Sequence, residues 1–218
     1  MEPQAHPIPS DGAPAVPALL VEEFSKRYDG KLAVDHLSFD VRSGEILGLV
    51  GPNGAGKTTT LRSIAGILPV HDGRIAIRGH DLAREEVRAK SELAWVPDDP
   101  QPFETLTVFE HLEFNAALYR VEDWRARAES LLSRFELVEK RDALGGELSR
   151  GMRQELAFCC AWLHRPRLLL LDEPLTGARP ARDSLGKAGD RGARRRGDGG
   201  DPLLAFVEDW WSSSRTAS

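Results

Sequence analysis

The period of apolar and polar positions changes several times along the chain. Leu19 to Phe24 is an apolar-rich run that predicts a first strand, and Leu37 to Val41 alternates as a half-buried strand does. Ile46 to Val50 is almost wholly apolar and runs into glycine, the pattern of a central strand covered on both faces. Thr58 to Leu68 then predicts a helix stopped by Pro69. Gly73 to Ile77 predicts a strand after an Asp-Gly turn, and Leu93 to Val96 another, ended by Pro97. From Thr107 to Arg165 apolar residues recur at spacings of three and four, as in Val108 and Leu112, then Leu118, then Leu131, Leu132 and Phe135. Arg167 to Leu171 is a second buried strand, running into Asp172-Glu173-Pro174. Strands alternating with helices predict an α/β sheet, with a helical insert between Thr107 and Ser149. After Gly177 no period of 3.6 or 2 is sustained, and glycines, the run Arg194-Arg195-Arg196 and the pair Trp210-Trp211 follow.

Composition narrows the picture. The chain has 218 residues, 41% hydrophobic and 29% charged, enough for one domain with a sizeable core. Its net charge of -5 offers no overall basic field for nucleic acid, and the arginine run reads as a solvated cluster. No apolar run approaches the roughly 20 residues that cross a bilayer. Met1 to Pro17 is proline-rich, with neither a basic n-region nor an apolar h-region, and reads as a disordered leader. The two cysteines, Cys159 and Cys160, are helix neighbours pointing about 100° apart, so no disulfide is expected between them and a reduced setting fits.

The chemistry is concentrated in three places. Gly51-Pro52-Asn53-Gly54-Ala55-Gly56-Lys57-Thr58 fits the phosphate-loop spacing of Gly, four residues, then Gly-Lys-Thr, with a strand before it and a helix after it. Its glycines permit close backbone approach, and successive N–H groups form an anion-binding nest at a helix start, extending to Thr59. Lys57 is expected at the β and γ phosphates and the Thr58 hydroxyl on Mg²⁺. Asp172, at the end of the second buried strand, is expected to hold Mg²⁺ through water, and Glu173 to polarise the attacking water. Third, Leu148-Ser149-Arg150-Gly151-Met152-Arg153-Gln154 offers a serine N-cap, a small residue and a helix dipole that suits an anion.

In this order the motifs resemble those of the ABC-type ATPases, from Leu19 to Gly177. The resemblance implies a P-loop NTPase of ABC type with an antiparallel β portion, a helical subdomain and ATP and Mg²⁺ as cofactors. It implies that Ser149 and Gly151 bind the γ-phosphate held by an opposite subunit. The usual core of that signature is Ser-Gly-Gly-Gln, and Arg150 and Met152 depart from it. Tyr28 falls where an aromatic ring stacks on adenine, or else is a surface residue at a strand end. Asp98 falls where the family has a glutamine that touches Mg²⁺, the attacking water and the membrane partner; it is either a Mg²⁺ ligand or a turn residue of Pro97-Asp98-Asp99-Pro100.

The resemblance further implies a homodimer or heterodimer of ATP-binding domains that sandwiches two ATP. Such a dimer would drive a separate transmembrane permease subunit from the cytoplasmic side, peripheral on the inner face of the cell membrane, with no nucleic-acid partner. The Ser-x-Gly-Met form of the signature resembles that of bacterial exporter-type ATPases, and the resemblance leaves import or export open. The rivals are a soluble ABC protein of translation or DNA repair, disfavoured by the single cassette and ordinary insert, and a nonfunctional remnant. Beyond Gly177 the family pattern breaks. Ala178-Arg179 stands where Leu-Asp is called for, and no histidine follows the acidic motif, although the family places one on the γ-phosphate. The final strands of the sheet are therefore expected to be missing and steady-state hydrolysis to be low. His111 and His164 are expected at helix surfaces or ends. The expected organisation is a disordered leader over 1–17, an ATP-binding domain over 18–177, and an aberrant, disordered tail over 178–218. That tail is expected to come from a shifted reading frame, the alternative being a real but divergent C-terminus: codons allowed for Ala178-Arg179-Pro180, read one nucleotide later, permit Leu-Asp-Pro, and those for Asp201 to Phe206 permit Ile-Leu-Ser-Ser-His.

Overall fold

The computed structural model describes residues 16–49, 54–172 and, as backbone, the strand 203–207. Strands β1 (Leu19–Tyr28) and β2 (Lys31–Val41) form an antiparallel hairpin, and β4 (Asp72–Ile77) pairs antiparallel with the other edge of β1 and carries the short β5 (His80–Asp81). The first sheet thus has the order β2-β1-β4-β5. The second has the order β3-β8-β7-β6, from β3 (Ile46–Leu49), β6 (Leu93–Val96), β7 (Leu168–Leu171) and β8 (Leu203–Val207). Five α-helices are described: α1 (Lys57–Ile64), α2 (Glu86–Ser91), α3 (Val108–Leu118), α4 (Trp124–Arg134) and α5 (Arg150–Leu163).

Strand β7 explains why its sequence is apolar without alternation. Leu168 and Leu170 pack into a core with Leu19, Phe24, Leu61, Ile64, Ile75 and Ile77, from the first sheet and α1. Leu169 and Leu171 point the opposite way, into the core of the helical part with Leu112, Leu132, Phe135 and Phe158. One strand with side-chain period two therefore needs apolar residues on both faces. The helical core is locked by aromatic stacking of Phe135, Phe158 and Trp162, with ring centroids 5.3 to 5.8 Å apart. Thr107 starts α3 with a capping box: its hydroxyl accepts from Glu110 N at 3.2 Å, and its own N–H donates to the Glu110 carboxylate at 2.7 Å.

Several expectations are corrected. Strand β3 is half-buried, not covered on both faces, because it lies at the edge of the four-stranded sheet. Helix α1 ends at Ile64, before Pro69, because Gly66 adopts φ +67° and turns the chain. Leu118 is 63% exposed, because the buried stripe of α3 runs through Val108, Leu112 and Ala116 and position 118 lies well around the helix from it. His111, expected at a surface, is buried on that same stripe, three residues after Val108. His164 does stand at a helix end, as the C-cap of α5. The expected tail is not wholly without structure. Leu203-Leu204-Ala205-Phe206-Val207 is a compact apolar run, and β3 and β7 each offer it a backbone edge, so it forms β8 between them, antiparallel to both. The leader over 1–15 and the rest of the tail lie outside the described residues.

Candidate nucleotide-binding site

Strand direction places the chemistry. β6 and β7 are parallel, and β3 and β7 each run antiparallel to β8, so β3, β6 and β7 point the same way. Their C-terminal ends share one edge of the sheet. Pro97-Asp98 leaves from β6 and Asp172 from β7, and β3 precedes the phosphate-loop residues in the chain. In open α/β sheets this edge is where ligands bind.

Gly51, Pro52, Asn53 and Glu173 lie outside the described residues. Gly54, Ala55 and Gly56 lead into α1, and Gly56 is its N-cap with φ +82°. A Cβ at Gly56 would stand 2.4 Å from the Ala33 carbonyl oxygen and 2.9 Å from Val34 Cγ2, so β2 packs directly on this glycine and leaves room for no side chain. Helix α1 has no side-chain cap and no acidic residue in its first turn, and a helix start of that kind suits an anion. Lys57 and Thr59 are half-buried there and Thr58 is exposed. The next residue, Thr60, turns inward, and its hydroxyl donates to the Gly56 carbonyl oxygen at 2.9 Å. These features fit a nucleotide phosphate: a glycine cradle, a cation, a hydroxyl and an uncapped helix start.

Asp172 is 7% exposed, and its N–H donates to the Val96 carbonyl oxygen at 3.0 Å, continuing the β6–β7 ladder into the acidic motif. Tyr28 ends β1 and is exposed, in the hairpin whose other strand carries Val34 against Gly56. Ser149 is the exposed N-cap of α5, its oxygen accepting from Met152 N at 3.3 Å, while its own O–H remains a donor. Gly151 is half-buried in the first turn of that helix.

The loop after β6 does not stand alone. Arg150 Nη2 donates to Asp98 Oδ1 at 3.0 Å, Arg153 Nη2 lies 3.8 Å from Asp99 Oδ1, and Gln154 Nε2 donates to the Pro97 carbonyl oxygen at 3.3 Å. Sequence reasoning singled out Asp98 and Arg150 separately and missed that they pair; their opposite charges, each a departure from the family pattern, were the available signal. It also missed a groove of about 250 Å³ beside this loop, lined in part by Pro100, Gln101, Tyr119, Arg153, Cys160 and His164. His164 donates from Nε2 to the Leu93 carbonyl oxygen at 3.1 Å and stacks on Tyr119, with centroids 3.8 Å apart. Burial pushes its imidazole down to about 4, so it is neutral at pH 7 and Nδ1 carries a lone pair. Burial pushes the Cys160 thiol up to about 12 and the Cys159 thiol up as well, so neither is a thiolate nucleophile. No helix among the described residues is long and apolar enough to cross a membrane.

Comparisons with known proteins identify the family. The profile of the family described as ABC transporter matches residues 34–176. The chain is 34% identical to the ABC-type transporter ATP-binding protein EcsA of Bacillus subtilis, over 74% of this chain and 66% of that protein. It is 38% identical to the SkfA peptide export ATP-binding protein SkfE of the same organism, over 72% of this chain and 66% of that protein. It is 41% identical to the Nod factor export ATP-binding protein I of Burkholderia pseudomallei, over 73% of this chain and 53% of that protein. The chain thus spans about two thirds of the length of these curated relatives, or less. Among solved structures it resembles an ATP-binding subunit of an ABC transporter, with TM-score 0.73 and 31% identity over 81% of this chain and 76% of that one. A bacterial Atm1-family ABC exporter with ATP bound matches with TM-score 0.67 and 25% identity, over 85% of this chain and 35% of that one. With the family profile matched over residues 34–176 and these relatives beside it, this chain belongs to the ABC transporter family of ATP-binding proteins.

Proposed function

We propose that the chain binds Mg-ATP at the shared edge of β3, β6 and β7 and, paired with a second such domain, powers a separate transmembrane subunit of an export system. The observation that carries the reading is that Asp98 and Asp172 follow the ends of the adjacent parallel strands β6 and β7, in a sheet whose β3 precedes, in the chain, α1 with its uncapped start. Lys57 neutralises phosphate charge, Thr58 and Asp172 hold the metal, Glu173 orients water, and Tyr28 stacks on the base. When bound, Mg²⁺ offsets the charge of the phosphate oxygens. Ser149 and Gly151 complete the site of the opposite domain through the start of α5. Relatives that serve peptide and Nod factor export support the direction. The groove beside the 97–101 loop receives a segment of the membrane subunit. The unpartnered Nδ1 of His164 and Nε of Arg153 supply an acceptor and a donor for it. The protein works on the cytoplasmic face, held at the membrane through that subunit.

Residues 18–177 form the ATP-binding domain, and 178–218 derive from a shifted reading frame. The reversed direction of β8 supports weak hydrolysis, since its end at Val207 lies at the edge opposite the nucleotide. Robust turnover abolished by Glu173→Gln would overturn that point, and sequencing the locus tests the frame. For the site itself, Lys57→Ala is expected to weaken ATP binding at least about tenfold by calorimetry, from loss of a charge-assisted contact in a nest of N–H groups. Unchanged affinity would sink the assignment.

A further inference from the structure

Three consecutive residues after β6 are held by one face of α5. Pro97, Asp98 and Asp99 meet Gln154, Arg150 and Arg153, respectively, through the 3.3, 3.0 and 3.8 Å contacts. Positions 150, 153 and 154 are spaced by three and four and so lie together on the helix. The loop is also tied to the nucleotide edge. Val96 pairs with Leu171, and the N–H of Asp172 donates to the Val96 carbonyl oxygen, so Asp98 and Asp172 leave the ends of adjacent parallel strands. Asp98 therefore has the guanidinium of Arg150 on one side and leaves a strand end next to the one that carries Asp172, the two carboxylates a nucleotide-borne metal would meet at that edge. Both partners of the Asp98–Arg150 pair are partly exposed, which makes the contact weak enough to exchange.

We propose that Arg150 is a positioning residue for Asp98: the closed pair latches residues 97–99 onto the first turn of α5, and Mg²⁺ arriving with nucleotide competes with Arg150 for the Asp98 carboxylate. The inference rests on the nucleotide site proposed above. The exchange has a use. When Asp98 turns to the metal, Arg150 is released beside Ser149, at the helix start that faces the second domain, where a guanidinium complements phosphate oxygens. Occupancy of one site would so be reported to the other.

The test uses the full chain with Arg150→Gln, Arg150→Lys, Asp98→Asn and the Arg150→Gln/Asp98→Asn pair. Without nucleotide, amide hydrogen exchange at Asp98, Asp99 and Gln101 is expected to quicken about two- to fivefold in Arg150→Gln, the range of a partly exposed ion pair, and to stay near the original in Arg150→Lys. In a Mg²⁺ titration of fluorescent ATP-analogue binding, Arg150→Gln is expected to need about two- to fivefold less Mg²⁺, because the competitor is gone. That gain is expected to vanish in the Asp98→Asn background. An unchanged Mg²⁺ midpoint in Arg150→Gln, or the same shift with Asn at 98, overturns the competition. If the unmodified chain binds no nucleotide, the proposed function fails, and the exchange measurement alone decides the latch: unchanged exchange in Arg150→Gln overturns it.

Discussion

Strands β7 and β8 are neighbours in one sheet, and both are short apolar runs, yet only β7 runs into the acidic motif. β7 is anchored on every side. Its entry is held by the N–H groups of Arg167 and Leu168, which donate to the Glu92 carbonyl oxygen at 2.7 and 2.9 Å, and by His164 on Leu93. All four of its residues are buried, and Asp172 follows its end at Leu171, on the edge it shares with β3 and β6. β8 has backbone partners on both sides, Leu47 and Leu170 both opposite Ala205, but it runs the other way. Apolar β-forming sequence and two open ladders are enough to make a strand. Direction decides the rest, because only a strand parallel to β7 brings its C-terminal residue to the edge where Asp98 and Asp172 leave β6 and β7.

The contrast can be broken or sharpened by experiment, beginning with the strand itself. Leu170→Ala in β7 removes a fully buried side chain and leaves a cavity, so it is expected to cost about 2–5 kcal/mol in urea unfolding. A loss below about 1 kcal/mol would show that β7 is not the anchored member of the pair.

The entry to β7 gives a pH signature of similar or smaller size. Burial lowers the His164 imidazole to about 4 in the folded chain, against about 6.5 unfolded. Between these values the unfolded state binds the extra proton, so stability is complete above about pH 6.5 and falls as pH drops toward 4. From pH 7 to pH 5 the loss is expected to be about 2 kcal/mol, and His164→Gln should flatten that part of the profile. A slope identical in the two proteins would remove His164 from the account.

For β8 the expected effect is smallest. Ala205→Pro removes a ladder hydrogen bond in the middle of the strand and is expected to cost about 1 kcal/mol by the same urea measurement, with nucleotide affinity unchanged. A cost matching that of Leu170→Ala would make the two strands equals, and the comparison would fail.

Much of this was legible in the chain. β6 falls where the apolar run before Pro97 puts it, and β7 begins one residue inside the predicted run. Thr107 and Ser149 start helices because a hydroxyl one residue before a helical pattern can cap it. The bounds of β1 and β2 were harder. They extend through Ser25–Tyr28 and Lys31–His36, stretches without a sustained alternation that are held as strand by hairpin pairing across the Asp29-Gly30 turn. The burial of His111 was hidden because a polar ring on the core face satisfies Nδ1 locally, through the Thr107 carbonyl oxygen at 2.7 Å, and leaves no trace in the apolar period.

By itself the sequence determined the order of the site's parts: a glycine cradle with lysine and threonine, an acidic strand end, and a serine-capped helix. Each of these is a local arrangement of neighbours in the chain, with a fixed spacing that backbone geometry enforces. Only the tertiary structure decided which way β8 runs, that β3 lies at a sheet edge, and that Asp98 meets Arg150 across 52 positions. Those outcomes depend on which surfaces and backbone edges remain open once the two cores have packed, and no local pattern encodes that.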